Sequence, residues 1–429
     1  MNRITAREAS ERVGKPVRLA GWAHRVRQLG GVTFIVLRDR SGMIQCVAEG
    51  IDEACELTPE SVIAIEGKAV AEPRAAGGVE VHVRALSVLA QAPAMLPFEV
   101  NKKAIEAGFD LQLDERVLSL RHPRNMAIFK VQAALADGFR RALRVRGFTE
   151  VHTPKLVATG TEGGAEMFPV QYFGRQAYLA QSPQFYKQML VLAGFERVFE
   201  IGPVFRAESH NTSRHVNEFT SLDLELGFIE SEEDIMALEE DLLGEMMTYV
   251  VETCREELAL LGAALPAVGE VPRISVPEAI KILKESYDWE APAGEINPEG
   301  ERLLGDYVKK RFGSDFVFLT HYPADKRPAY TMPHPEDPTL TKSFDLLFRG
   351  LEITTGGQRI HDYDRLVASF RRAGYDPDAF ASYLNAFRFG APPHGGLAIG
   401  LERLTARLLN LNNVREAILF PRDKDRLTP

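Results

Sequence analysis

The stretch FEIGPVFRAESHNTSRHVNEFTSLDLEL, residues 199–226, constrains the fold more than any other part of the chain. Its two ends, FEIGPVF and FTSLDLEL, alternate apolar and polar residues with period two, as half-buried strands do. Between them stand Arg206, Glu208, Arg214, His215, Glu218 and Phe219 in a segment of Ser, His, Asn and Thr. Two strands joined by a charged loop that can close over a phosphate are the expected result. A second piece, HGGLAIGLERLTARLL at residues 394–409, reads as a Gly-rich strand leading into a helix that opens with Glu402 and Arg403. A lone arginine is ordinarily a surface residue. The ordered combination of FRAE, RHVNEF and a distant GLERL points instead to a site.

The chain has 429 residues, 45% hydrophobic and 26% charged, enough for two or three globular domains. Cys46, Cys55 and Cys254 are scattered without a CxxC pair, so neither a zinc ribbon nor a disulfide framework is indicated, and a reducing cytosol fits. The opening MNRITAREASERVGK is charged, and no run is long enough to span a bilayer, so a cytoplasmic protein without membrane attachment is expected. A formal net charge of −9 argues against indiscriminate nucleic-acid binding. Residues 1–45 nevertheless carry a local basic excess that could meet phosphates. Acid is concentrated in the stretch containing Glu230, Glu232, Glu233, Asp234, Glu239, Glu240, Asp241 and Glu245. There Ile235, Leu238, Leu242 and Met246 fall at helical spacing, and the carboxylates are expected on a solvated outer face.

Between Pro16 and Leu89, five short strand-like runs separated by Gly, Ser and Pro suggest a small barrel. An OB-fold, which binds single-stranded nucleic acid on an open face, and an SH3-like barrel both fit that pattern. Residues 1–92 are taken as this domain, 93–120 as a short helical hinge and 121–429 as an α+β domain around an antiparallel sheet. At 128–157 an amphipathic helix runs into TEVHTPKLV, where Pro154 suits an edge strand or a subunit contact. In SFDLLFRGLEIT, a two-residue turn at Arg349-Gly350 would pair Phe348 with Leu351 and Leu347 with Glu352, so that Asp345 and Glu352 share one face. Two carboxylates so placed beside a polyphosphate suit Mg²⁺.

Segments 128–157, 199–226 and 394–410 resemble, in order, motifs 1, 2 and 3 of class II aminoacyl-tRNA synthetases. The intervening ATGTEGGAEMFPV, YLAQSPQFYKQML, SFDLLFRGLEITTGGQRIHDYD and FRFGAPPHGG are similar to those of aspartyl-tRNA synthetases of the compact archaeal type. The resemblance covers nearly the whole chain, and it makes the barrel an OB-fold that binds the anticodon.

It implies ATP-dependent attachment of L-aspartate to tRNA through an aspartyl-adenylate, with Mg²⁺, in a homodimer built on motif 1. Arg206 and Arg403 become the catalytic residues, and Arg206, Glu208, Arg214, His215, Val216, Phe219, Glu352, Gly400 and Arg403 bind ATP. Glu162, Gln184, Lys187, Arg206, Thr355 and Arg359 surround aspartate, and Asp345, Glu352 and Thr355 hold the metal. A planar guanidinium and an ammonium, Arg359 and Lys187, are the groups suited to a side-chain carboxylate. Phe34, Gln45 and Glu80 take the anticodon by stacking and base-edge contacts. His24 and Pro73 match positions tied to relaxed anticodon choice, which implies charging of both tRNA-Asp and tRNA-Asn and a partner amidotransferase acting on the latter product. The rivals are a strictly discriminating enzyme, an asparaginyl-tRNA synthetase, a tRNA-independent asparagine synthetase and an inactive RNA-binding paralogue.

Overall fold

The computed structural model describes residues 2–160, 167–209, 212–292 and 295–429. These form two compact units, Met1–His122 and Pro123–Pro429.

The first unit is a closed five-stranded barrel of β1 (Pro16–Leu29), β2 (Val32–Asp39), β3 (Gly42–Glu49), β4 (Val62–Ala71) and β5 (Val79–Ala90), in the order β1-β2-β3-β5-β4. Closure follows from period-two patterning: Leu19, Ile35, Leu37, Cys46, Ile63, Ile65 and Val81 point inward and are essentially inaccessible. The β3–β5 contact is parallel and the other pairings are antiparallel. Residues 93–120 contain two short helices, Phe109–Asp114 and Arg116–Ser119.

In the second unit, β6 (Thr149–Glu150) and β10 (Arg197–Phe205) to β16 (His394–Gly400) build an eight-stranded sheet. The intervening members are β11 (Glu218–Gly227), β12 (Arg273–Ser275), β13 (Phe316–Thr320), β14 (Ser343–Phe348) and β15 (Leu351–Gln358). Its order is β12-β13-β14-β15-β16-β11-β10-β6, antiparallel inside and parallel only at the two outermost pairs. The remaining strands, β7 (Leu156–Val157), β8 (Pro169–Tyr172) and β9 (Arg175–Leu179), make a separate small sheet. Pro154 lies between the edge strand β6 and β7, where a missing N–H costs no ladder bond.

The alternation SLDLEL in β11 assigns the two faces of the large sheet. Leu222, Leu224 and Leu226 enter the main core with Leu397 and Ile399 of β16 and with helices Pro123–Val145 and Glu232–Thr253. Ser221, Asp223 and Glu225 project from the opposite face. That second face carries the polar groups described below.

The expected solvated face holds only in part: the Glu232 and Glu240 side chains are just 12% and 19% exposed, and Glu239 is the extreme case. Glu239 is not on a solvated face; it is fully buried, on the stripe of helix Glu232–Thr253 that also carries Ile235, Leu242 and Met246. Burial pushes its carboxyl up to about 8, with the Thr354 hydroxyl offsetting part of the shift and the Glu240 and Asp345 charges adding to it. At neutral pH this side chain is therefore largely a neutral acid, which is why the core tolerates it.

Candidate active site

The β10–β11 hairpin closes at Phe205 opposite Glu218, and the segment that joins the two strands is described at 206–209 and 212–217. Asn217 fixes its base. Its side-chain amide donates to the carbonyls of Arg206 (2.7 Å) and Glu208 (3.0 Å), and the Arg206 amide donates to the Asn217 carbonyl. A pocket with an empty volume of about 690 Å³ opens below. The loop contributes Arg206, Glu208, Arg214, His215 and Val216 to its wall, β11 contributes Phe219, β15 contributes Glu352 and Thr355, and the start of motif 3 contributes Gly400 and Arg403. Every residue assigned above to ATP thus lines one cavity.

The Arg206 guanidinium lies over the Phe219 ring, 5.4 Å from its centroid, and its buried Nε has no hydrogen-bond partner among the described residues. A buried, charged donor left open is suited to an anionic ligand. Arg214 Nη2 donates to Glu301 of helix Pro298–Phe312 at 2.5 Å, an ion pair that holds the guanidinium at the pocket wall. His215 Nδ1 contacts the Thr212 hydroxyl at 2.7 Å, and Arg403 lies 3.5 Å from Glu352.

The β14–β15 turn has Arg349 and Gly350 both at positive φ, the type I′ geometry, and pairs Phe348 with Leu351 and Leu347 with Glu352 as expected. Beyond it a bulge between Leu346 and Leu347 slides the register, so Asp345 faces Thr355. The Thr355 hydroxyl is 3.4 Å from Glu352 Oε1, which brings three hard oxygen donors to one face. Asp345 Oδ2 sits 2.8 Å from Arg327, whereas Oδ1 is buried without a hydrogen bond among the described residues. Burial raises the Asp345 carboxyl; Arg327 counters this and the Glu352 charge adds to it. A divalent cation would relieve that repulsion and satisfy the orphaned oxygen, so the residues fit Mg²⁺. Among the described residues no three His, Cys, Asp or Glu side chains converge, so Thr355, water or phosphate must complete a coordination shell.

Beside this pocket, Lys187 of helix Gln184–Leu190 and Arg359 just after β15 converge on β11. Lys187 is buried, and its ammonium donates to Asp223 Oδ1 (3.0 Å) and to the carbonyls of Leu224 (3.2 Å) and Leu397 (3.1 Å). Arg359 Nε donates to Glu225 Oε1 at 3.0 Å, and its Nη2 donates to the Gly396 carbonyl at 3.0 Å. Glu225 Oε2 lies 3.3 Å from Lys187 Nζ. Burial alone would raise the Glu225 carboxyl, yet Arg359 and Lys187, with His394 behind, hold it below the ordinary range. Gln184 Nε2 is buried with no hydrogen bond among the described residues. Glu162 lies outside the described residues.

Asp223, Glu225 and Glu402 were missed as site residues, although SLDLEL carries the first two on the face opposite its leucines. Glu402 accepts from the Thr220 amide at 2.9 and 3.1 Å, and burial raises its carboxyl to about 7. Gly396 explains one of the glycines in HGGLAIG: a Cβ there would lie 2.2 Å from the Leu224 carbonyl and 2.3 Å from Glu225 Oε2.

On the barrel, Phe34 of β2 and Gln45 of β3 project outward on neighbouring strands, and Gln45 donates to Glu80 Oε2 at 2.8 Å. His82 engages the other Glu80 oxygen at 2.8 Å. His24 is elsewhere and is buried. A bulge between Ala23 and Arg25 accompanies its placement against Arg38 Nη1 (2.7 Å) and Glu60 Oε1 (3.4 Å). Arg38 also forks onto Glu60 at 2.8 and 2.7 Å, and Arg121 reaches it at 3.2 Å. Burial opposes ionisation of Glu60, but these partners hold its pKa at about 2. Pro73 is exposed in the β4–β5 connection.

A sheet of this order, with a phosphate-ready loop on one hairpin and an arginine at the head of a terminal helix, defines a class II aminoacyl-tRNA synthetase. The profile of tRNA synthetases class II (D, K and N) matches residues 109–424, and that of the OB-fold nucleic acid binding domain matches residues 17–89. The chain belongs to that synthetase family and, within it, to the aspartate–tRNA ligases. It is 50% identical to the aspartate–tRNA(Asp/Asn) ligase of Thermus thermophilus over 100% of both chains. It is 45% identical to the aspartate–tRNA(Asp) ligase of Pyrococcus abyssi over 97% of each. The asparaginyl-tRNA synthetase of Pyrococcus horikoshii complexed with asparaginyl-adenylate superposes with a TM-score of 0.93 at 35% identity, covering 100% of both chains. The fold is thus shared between aspartate and asparagine enzymes, and the amino-acid choice has to lie in side chains. No helix among the described residues is long and apolar enough to cross a membrane.

Proposed function

We propose that this chain activates L-aspartate with ATP and transfers it to both tRNA-Asp and tRNA-Asn. In the first step an α-carboxylate oxygen of aspartate attacks the α-phosphorus, the bond to the bridging oxygen breaks, and pyrophosphate leaves with that electron pair. In the second, a hydroxyl of the 3′-terminal ribose attacks the adenylate carbonyl and AMP departs.

Arg206 neutralises charge on the α-phosphate and the attacking carboxylate, where its open Nε makes it an electrostatic catalyst. Arg214, His215 and Arg403 take the outer phosphates, Phe219 stacks on adenine, and Glu208, Val216 and Gly400 shape the nucleotide wall. Asp345, Glu352 and Thr355 would hold Mg²⁺, which when bound supplies positive charge to the phosphates. Arg359 meets the substrate side-chain carboxylate, with Lys187, Gln184, Thr355 and Glu162 completing the aspartate site. All three ammonium donors of Lys187 already have protein acceptors, so it acts through its charge or by exchanging one of them for substrate.

Residues 1–92 serve as the anticodon-binding domain, through Phe34, Gln45 and Glu80, residues 93–120 as a hinge, and 121–429 as the catalytic domain. We further propose a cytoplasmic homodimer joined through motif 1, and an amidotransferase that converts Asp-tRNA-Asn.

The observation that carries this reading is the convergence of Lys187 and Arg359 on Glu225 beside a pocket lined by the whole ATP set. It favours aspartate over asparagine, because a neutral amide gains little from two buried cations. ATP–pyrophosphate exchange with each amino acid tests it. Exchange that depends on aspartate and is feeble with asparagine is the expected result; equal exchange with both overturns the assignment.

A further inference from the structure

Next to the nucleotide pocket lies a second cavity with an empty volume of about 700 Å³. Arg214, Arg302, Arg403 and Arg407 line it, together with Gly350 of the β14–β15 turn, and among the described residues no carboxylate does. Arg214 and Arg403 border both cavities, so the two meet at the end of the nucleotide pocket assigned to the outer phosphates.

The four cations differ in how they are compensated. Arg214 has Glu301 at 2.5 Å, Arg302 has Glu299 at 2.7 Å and Asp306 at 3.1 Å, and Arg403 has Glu352 at 3.5 Å. Arg407 has no carboxylate in salt-bridge range among the described residues; it donates only to the Phe348 and Arg349 carbonyls. Partial burial lowers its pKa and the charges of Arg214 and Arg349 lower it further, with the more distant Glu301 and Asp306 carboxylates offsetting only part of the shift. Holding a guanidinium half out of water beside like charges is costly, and a multivalent anion removes that cost. Guanidinium forks bind phosphate oxygens in pairs, so a compact oligophosphate suits the cavity better than a carboxylate does.

We propose that this cavity is a second anion site that receives inorganic pyrophosphate as it leaves the nucleotide pocket, with Arg407 and Arg302 as its own ligands and Arg214 and Arg403 shared between the two. The inference rests on reading the first pocket as the ATP site. Passage needs no chemistry beyond the cleavage already described. The shared arginines rotate from one chamber toward the other, and Arg407 supplies the charge that makes the second chamber favourable.

The test uses the full chain with Arg302→Gln and Arg407→Gln. In ATP–pyrophosphate exchange, the KM for pyrophosphate should rise by about five- to tenfold in each variant, while the KM for ATP stays within about twofold. Calorimetric titration with sodium pyrophosphate, without ATP, should show the same weakening. If the unmutated chain exchanges nothing with any amino acid, the ATP reading has failed; the titration still judges the anion site by itself. Unchanged pyrophosphate KM and affinity in both variants overturns the proposal. So does a parallel rise of both KM values, which would make these arginines part of general ATP binding, or a rise in the KM for tRNA alone, which would make the cavity a seat for RNA phosphate. Arg407 also ties down the 349–350 turn; if its variant does not fold, Arg302→Gln, on an exposed helix face, decides alone.

Discussion

Arg359 Nε donates to Glu225 Oε1 at 3.0 Å in an ion pair buried on both sides. Glu225→Gln keeps the shape and removes the carboxylate that neutralises Arg359, while Lys187 keeps Asp223. Breaking a buried pair in this way costs roughly 3–5 kcal/mol. The kcat/KM for aspartate should accordingly fall by about 10² or more. The pH dependence has a definite sign. The folded pKa of Glu225 lies below its unfolded value, so its stabilisation is complete above the unfolded value and is lost as pH falls through the folded one. Acidification from pH 5 to pH 3 should lower the Tm of the unmutated chain more steeply than that of Glu225→Gln. Parallel Tm profiles would show that Glu225 carries no such charge.

Arg206 and Glu352 both line the nucleotide pocket, one from the end of β10 and the other from β15. Arg206→Ala removes the open donor, and Glu352→Ala removes a proposed metal oxygen. Each should lower the rate of adenylate formation by about 10² or more, the usual cost of one transition-state donor. Thermal midpoints should move little, because both side chains are only half-buried. Exchange at the unmutated rate in either variant would mean that the phosphate and metal roles belong to other residues.

Gly396 makes a steric prediction. The Cβ of Gly396→Ala would fall 2.3 Å from Glu225 Oε2, so the carboxylate must shift away from Arg359 or the β11–β16 pairing must open. Overpacking of this kind costs about 1–3 kcal/mol. A rise in the KM for aspartate larger than any change in the KM for ATP is expected. Steady-state kinetics with each substrate varied would separate this from a general loss of fold, in which both would deteriorate.

How much of this was legible in the sequence depends on whether the determining pattern is local. The turn at Arg349-Gly350 and its first two pairs follow from hairpin rules, and the alternation in SLDLEL marks both faces of β11. The bulge that brings Thr355 opposite Asp345 leaves no trace in LEITTGG, because one extra residue alters no apolar pattern there. Lys187 sits on a short helix whose own sequence does not announce burial; its three acceptors come from β11 and β16, far along the chain. His24 is similar, since its partners Arg38 and Glu60 reach it only after barrel closure. Glu239 is different. Its place four residues after Ile235 and three before Leu242 was visible, and the acidic run around it obscured the stripe.

That residue gives a second pH prediction. The folded pKa of Glu239 is raised to about 8, so the unfolded chain loses this proton first, and the resulting destabilisation grows as pH rises from the unfolded value through about 8. Glu239→Gln keeps a neutral polar group beside Thr354 and removes the penalty. The variant should match the parent near pH 4.5 and exceed it by roughly 2–4 kcal/mol at pH 8.5 in denaturant unfolding. A constant difference across that range would place the charged form, not the neutral one, in the native core.

The choice between tRNA-Asp and tRNA-Asn makes the last prediction. Their anticodons differ only in the third base, C against U, so one hydrogen bond of about 1–3 kcal/mol can account for most of any discrimination. In this chain His24 is turned inward onto Arg38 and Glu60. Any effect of His24 on anticodon choice is therefore expected to run through the position of β1 and β2. Pro73, exposed in the β4–β5 connection, has no N–H to donate there. On the proposed reading, relaxed choice is expected. The kcat/KM values for the two transcripts should lie within about a hundredfold, a gap of roughly 2.7 kcal/mol, and a larger preference for tRNA-Asp would make the enzyme discriminating. Changing His24 to Gln together with Pro73 to Lys should weaken charging of tRNA-Asn more than that of tRNA-Asp. Equal losses on both transcripts would instead assign these residues to barrel stability, a possibility that a melting curve of the double variant checks directly.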